Sequence, residues 1–120
     1  FSPERIEGKK VKRTDNGLVL KLIPTMDISE ALGRLKKASQ FLAGFALETH
    51  NEIDNAVKKL KKKNLDLIVM NSLKDEGAGF GYDTNRITLI DRNNNIDKFE
   101  LKPKKEAARD ILDKIVSMIK

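Results

Sequence analysis

Lys59 and Lys63, four residues apart in AVKKLKKKN, have the spacing in this chain best suited to chemistry. Ammonium groups one helical turn apart lie on one side of a helix and can hold the oxygens of a single polyphosphate. Around them the apolar positions Ile53, Ala56, Val57 and Leu60 follow helical spacing. At about 100° per residue from Leu60, the other three apolar residues fall within about 60°, Lys63 near −60° and Lys59 near −100°. Lys58 and Lys62 point the opposite way. One lysine pair thus borders the packed face on the side of the small Ala56, and the other meets solvent. A solvated charged face is the ordinary meaning of such a run, and spacing alone leaves both readings open.

The helix carrying these lysines lies between two apolar runs. Phe41 to Leu47 is short with Gly44 at its centre, and Leu65 to Met70 is almost purely aliphatic, as expected for strands covered on both faces of a parallel sheet. Ligands of such sheets bind beyond the carboxyl ends of the strands, where this unit delivers Phe45, Glu48, Thr49 and Asn71. In simple strand-helix-strand geometry Lys59 and Lys63, late in the helix, lie toward the other edge. Spacing offers no account of one ligand reaching both regions.

Further elements frame this unit. Leu18 to Ile23 reads as a strand broken at Pro24. Asp27 then precedes the helical pattern Ile28, Ala31, Leu32, Leu35 and Ala38, with Glu30 placed as in a capping box. The first amides of that helix would face an anion, although a plain capped helix is the commoner meaning. Gly77, Gly79 and Gly81 invite comparison with a dinucleotide fingerprint, but that motif opens a helix and this chain proceeds into the strand pattern RITLIDRN. Arg86 to Asp91 and Lys98 to Leu101 read as strands joined through the turn formers Asn93, Asn94 and Asn95. Lys104 to Ile119 reads as a helix with Ala108, Ile111, Leu112, Ile115 and Ile119 on its packed face. The class is α/β with a mixed sheet.

With 120 residues the chain has one domain's worth of core. The net charge of +6 favours an anionic partner, but acidic residues are interspersed throughout, so a phosphorylated small ligand fits at least as well as a polynucleotide. The chain has no Trp and few aromatics, which argues against a base-stacking surface for single-stranded nucleic acid and makes a nucleic-acid partner the weaker expectation. Without cysteine there is no thiol nucleophile or cysteine zinc site, and the single His50 cannot build a multi-histidine metal centre. No apolar run is long enough to span a bilayer and no leader pattern is seen, so cytoplasm is the default compartment. The opening residues, FSPERIEGKKVKR, have no strand or helix period and no initiating methionine, as expected of a piece of something longer.

Four ordered motifs are distinctive together: LKLIPTMDI at 20–28, GFALET at 44–49, AVKKLKKKNLDLIVMN at 56–71 and GFGYDTNRITLI at 79–90. They resemble the carboxyl-terminal half of bacterial phosphopantothenoylcysteine synthetase, an enzyme family of coenzyme A biosynthesis often fused behind a flavin-containing decarboxylase. The resemblance covers nearly the whole chain. It implies a Rossmann-like three-layer mixed sheet with a βαβ unit and a C-terminal hairpin and helix, with residues 1–16 a basic flexible loop and 17–120 the α/β core. It also implies that CTP activates 4′-phosphopantothenate to an acyl-cytidylate with loss of pyrophosphate, after which the cysteine amine displaces CMP. Mg2+ would accompany the nucleotide, and FMN would be present only if a decarboxylase domain is fused upstream.

Carried over residue by residue, the family's flexible KxKK loop matches Lys10, Val11, Lys12 and Arg13, with Lys10 as the catalytic lysine closing over the triphosphate. Arg13 keeps the charge of the fourth position but not its shape. The nucleotide-binding segment matches Met26, Asp27, Ile28 and Ser29, with Met26 where proline is usual. Phe45 matches a nucleotide-contacting aromatic, though the end of a buried strand would otherwise make it core. Lys59 and Lys63 match the two lysines that hold the phosphates. Asn71 and Asn85 are carried over only as loop-shaping residues.

The family's amino-terminal half, with its glycine-rich turn, is expected to be missing, so the chain alone should lack a complete active site. The strand after the lysine loop, Leu18 to Ile23, would extend toward a second subunit of a homodimer. Two other readings stay open: a basic α/β module binding nucleotide or nucleic acid, and a non-catalytic dimerisation domain.

Overall fold

A computed structural model describes residues 2–4, 20–72 and 83–119 of the chain. Its centre is a four-stranded sheet of β3 (Ala43–Glu48), β4 (Leu67–Ser72), β6 (Ile87–Asp91) and β7 (Ile96–Lys98), in the order β3-β4-β6-β7. β3 and β4 run parallel, with Ala43 opposite Leu67 and Glu48 opposite Ser72, and are connected by α2 (Glu52–Lys62). β4 pairs antiparallel with β6, and β6 with β7. The result is the expected α/β class with a mixed sheet, a βαβ unit and a C-terminal hairpin.

Each face of the sheet has its own core. Ala46, Ile68, Met70 and Ile90 meet Ala56 and Leu60 of α2, with Leu65 and the half-buried Ile53 and Val57 beside them. The four-residue stripe expected from helical spacing is therefore the stripe that packs. On the other face Leu67, Val69, Ile87 and Leu89 meet α3 (Lys104–Ile119) through Ala107, Ile111, Ile115 and Met118. Leu67, Val69, Leu89 and Ile90 are fully enclosed, and each such side chain contributes about 1.5–3 kcal/mol through burial.

Two helices turn a different face inward from the one their apolar residues suggest. The bounds of α3 agree with the sequence, but Ala108, Leu112 and Ile119 are exposed, and the packed row is set about one residue earlier by Ala107. In α1 (Ile28–Leu35), Ile28, Leu32 and Leu35 are exposed while Gly33 is the buried residue. The reason is a close helix contact: a Cβ on Gly33 would lie 1.8 Å from the Lys63 carbonyl oxygen. Backbone approaches this near select the glycine face over the larger apolar one.

Several strand bounds also differ. The strand expected over Leu18 to Ile23 is the two-residue β2 (Leu22–Ile23), paired antiparallel with β1 (Ser2–Pro3) outside the main sheet, and positions 18 and 19 lie outside the described residues. β1 itself falls in a segment with no strand period. The last strand of the hairpin is Ile96–Lys98 rather than Lys98 to Leu101, because the turn is tighter. Asp91 Oδ1 accepts from the amides of Asn93 (2.9 Å) and Asn95 (3.0 Å), and Asn94 takes a positive φ of 62°. β5 (Thr84–Asn85) and β8 (Lys102–Pro103) form a separate antiparallel pair that introduces α3. Asn71 lies within β4 and Asn85 within β5, on strands that flank positions 73–82. Positions 73–82, with Gly77, Gly79 and Gly81, lie outside the described residues.

β3 is an edge strand of this sheet, so the expectation of cover on both faces fails for it. Ala46 and Glu48 face α2 and are buried, whereas Phe45 and Leu47 face the side of α3 and are exposed, because α3 covers β4 and β6 instead.

Candidate functional site

α1 begins beside the end of α2. Asp27 caps α1 from extended backbone, its Oδ1 accepting from the Glu30 amide at 3.1 Å and from the Ser29 hydroxyl at 2.8 Å. Its other oxygen, Oδ2, lies 3.3 Å from the Lys63 ammonium. Lys63 is the C-cap of α2, its amide donating to the Lys59 carbonyl oxygen at 3.0 Å. The Asp27 carboxyl is held down at about 2, first by the Glu30 amide, then by the Ser29 hydroxyl, and further by Lys63. The segment Met26 to Ser29 and the late lysines of α2, far apart in sequence, thus meet in space.

Lys59 points back along α2. Helical side chains lean toward the helix N-terminus, and its ammonium donates to Glu48 Oε1 at the carboxyl end of β3, at 2.7 Å. This lean joins the carboxyl edge of the sheet to the lysine flank, the two regions that spacing alone could not connect. Lys58 and Lys62 are exposed, as their angles required. Glu48 was legible as an edge residue but not as the partner of Lys59; the available signal was a carboxylate closing an otherwise apolar strand.

A second polar network supports the lysine end of α2. Lys36, just past α1, donates to the Asn64 carbonyl (2.8 Å) and to Asp66 Oδ2 (2.9 Å), and Asp66 also accepts from the Leu42 amide (2.8 Å). Asn64 donates its amide to the Gly33 carbonyl at 2.9 Å, and Arg92 bonds both Asn64 and Asp66. Burial raises the Asp66 pKa, but the Leu42 amide, Lys36 and Arg92 outweigh it and leave the group below its ordinary range. Nothing in the residue pattern singled out this network, since its members are ordinary surface types.

The expected site residues therefore divide. Asp27, bonded to Ser29, meets Lys63, and Lys59 lies one turn back along α2, while Met26 and Ile28 on either side of Asp27 are exposed. Phe45 projects from the opposite face of the sheet and is 69% exposed, so it is neither core nor beside the lysines, and only its backbone shares an edge with them. Lys10, with Val11, Lys12 and Arg13, lies outside the described residues. Among the described residues no three His, Asp or Glu side chains converge as a metal site. Nor is any of their helices long and apolar enough to cross a membrane. Asn71 Oδ1 is enclosed without a hydrogen-bond partner.

A cavity of about 410 Å³ opens on the α2 face beyond the start of α2, bordered by Asn51, Asp54, Ser72, Arg86, Thr88 and Lys98. It lies at the other end of α2 from Lys63.

A mixed sheet between helices, with a parallel βαβ unit whose helix carries paired lysines, defines the Rossmann-like α/β class. Residues 1–119 match the family described as the DNA/pantothenate metabolism flavoprotein C-terminal domain, and the chain belongs to it. A relative described as a cysteine/cysteine sulfinic acid decarboxylase, from an unknown prokaryotic organism, is 59% identical over 119 residues, covering 99% of this chain and 33% of that protein. The coenzyme A biosynthesis bifunctional protein CoaBC of Bacillus subtilis (strain 168) is 41% identical over 120 residues, covering all of this chain and 29% of its own length. The solved C-terminal domain of a CoaBC protein superposes with a TM-score of 0.66 at 43% identity, over 79% of this chain and 45% of that one. The chain thus spans about a third of the length of these curated relatives.

Proposed function

We propose that this chain is the carboxyl-terminal portion of a CTP-dependent ligase of coenzyme A biosynthesis, joining 4′-phosphopantothenate to cysteine. The observation that carries this reading is the Asp27 carboxylate, at the start of α1, lying 3.3 Å from the Lys63 ammonium, with Lys59 one turn away. That arrangement suits the β- and γ-phosphates of a nucleotide: two ammonium groups for charge and the first turn of a helix for backbone donors. In the first step a carboxylate oxygen of phosphopantothenate attacks the α-phosphorus and pyrophosphate leaves. In the second the cysteine amine attacks the acyl carbon and CMP departs with the bonding pair. Lys59 and Lys63 serve the first step by neutralising charge that develops on the leaving pyrophosphate. Lys10 would close over the same phosphates.

Mg2+ fits this site as a passenger on the triphosphate. Among the described residues Asp27 is the carboxylate paired with Lys63, and it is already engaged by Lys63, Ser29 and Glu30, so phosphate oxygens and water would supply the other ligands. In this reading FMN, and the decarboxylation named for one relative, belong to another part of the full-length protein. The remainder of the nucleotide site would come from the amino-terminal half, and the exposed Leu20, Leu22 and Ile23 suit pairing with a second copy. A cytoplasmic setting follows from the substrates.

The test is formation of phosphopantothenoylcysteine by the full-length protein, with CTP and ATP compared and pyrophosphate release followed. CTP-dependent product that falls in Lys59→Ala and Lys63→Ala is expected. Product formed equally well without nucleotide, or in both variants, would overturn the reading.

A further inference from the structure

Lys59 is not a bare cation. Its ammonium lies 2.7 Å from Glu48 Oε1; the Glu48 side chain is 9% exposed and the Lys59 side chain 43%. Glu48 ends β3 on the face covered by α2. A carboxylate so enclosed needs a donor, and Lys59 supplies one. The pair differs from Asp27–Lys63, because Asp27 also caps α1 whereas Glu48 ends a strand and the cap position of α2 is Asn51.

We propose that Glu48 is a positioning residue that aims Lys59 along the flank of α2 and tempers its charge toward a bound polyphosphate. This rests on the function proposed above. A lysine has a flexible four-carbon stem and three donors. Glu48 occupies one donor and fixes the stem, leaving two donors on the exposed side for phosphate oxygens. Because the carboxylate stays beside the ammonium, the incoming phosphate meets a nearly neutral pair instead of a free cation. Affinity is thereby lowered, which favours release of the pyrophosphate product.

Replacement of Glu48 separates the two effects. Glu48→Gln keeps an oxygen to receive the ammonium and removes the negative charge, so KM for CTP should fall, by about threefold or more, and pyrophosphate should inhibit more strongly. Glu48→Ala removes the aim as well, and KM should rise by about threefold or more. In a Lys59→Ala background neither substitution should change KM further, as required of a residue acting through Lys59. The assay is steady-state turnover of the full-length protein with CTP varied, with thermal unfolding of each variant to confirm folding. KM changes of the same sign in both Glu48 variants, no change in either, or effects that persist without Lys59, would overturn this inference alone. An unchanged KM in Lys59→Ala would overturn the assignment of Lys59 and this inference with it.

Discussion

The Asp27 carboxylate at the start of α1 lies 3.3 Å from the Lys63 ammonium at the end of α2, tying the first turn of one helix to the last turn of another. The same carboxylate caps α1, so the cap and the inter-helix pair respond together to pH. The Asp27 pKa drops from 3.8 to about 2 on folding, led by the Glu30 amide. A depressed folded value means the contribution is complete above the unfolded value and is lost as pH falls from 3.8 toward about 2. Titration of the Asp27 carboxyl by NMR should show its midpoint near 2, and Lys63→Ala should leave most of the depression, because the leading cause is local. A midpoint at the ordinary carboxylate value would show that the cap does not form in solution.

Four lysines at the carboxyl end of α2, Lys58, Lys59, Lys62 and Lys63, should not act alike. Lys59 and Lys63 are tied to carboxylates along one flank, while Lys58 and Lys62 face solvent. Alanine at Lys59 or Lys63 should weaken CTP binding by the full-length protein about tenfold or more, the change that 1.4 kcal/mol makes, and alanine at Lys58 or Lys62 by less than about twofold. Calorimetric titration measures all four, and equal losses would reduce the cluster to general electrostatics.

Gly33→Ala sets helix propensity against packing. Alanine in a helix interior is favoured over glycine by about 0.8–1 kcal/mol. Here the added methyl would sit 1.8 Å from the Lys63 carbonyl oxygen and 2.8 Å from its carbon, both backbone atoms. Overpacking of this kind costs about 1–3 kcal/mol, so the substitution should destabilise on balance and separate α1 from α2. Chemical denaturation gives the stability, and CTP affinity should drop in parallel if Asp27 and Lys63 are parted. A stabilised variant would show that the contact is looser than described.

Asp66 holds the Lys36 ammonium, whose side chain is 7% exposed, at 2.9 Å. Asp66→Ala strands that cation and the Leu42 amide, and loss of one partner of an enclosed pair costs about 3–5 kcal/mol. Asp66→Asn retains an oxygen for the Leu42 amide and should be milder. Adding Lys36→Met to Asp66→Ala should restore part of the loss, because the stranded charge is then gone. Equilibrium unfolding of the three variants decides this, and equal stability of Asp66→Ala and the parent would remove the network from the account. Since the Asp66 pKa is lowered, its contribution is complete at neutral pH and lost in acid below the ordinary carboxylate range.

Much of the local structure was readable because short-range physics sets it. The spacing of Ile53, Ala56, Val57 and Leu60 placed the inner face of α2, and Asp27 with Glu30 marked the start of α1. The asparagine cluster marked the β6–β7 turn, where Asn94 takes the left-handed backbone that asparagine tolerates. The facing of α1 and α3 was not readable. Both helices have more apolar positions than one neighbour can cover, so periodicity alone could not say that Leu112 and Ile119 stay exposed while Ala107 packs.

By itself the sequence determined the α/β class and the lysine flank of α2, since both depend on side chains within a turn or two of one another, whereas the nucleotide-site residues are what the family resemblance implies. The tertiary structure alone decided that Asp27 meets Lys63, that Lys59 reaches back to Glu48, and that Phe45 lies across the sheet from both. Those relations depend on how closely α1 can approach α2, which Gly33 permits, and on which strand the sheet leaves at its edge. Both are set by packing between segments distant in the chain, about which local spacing is silent.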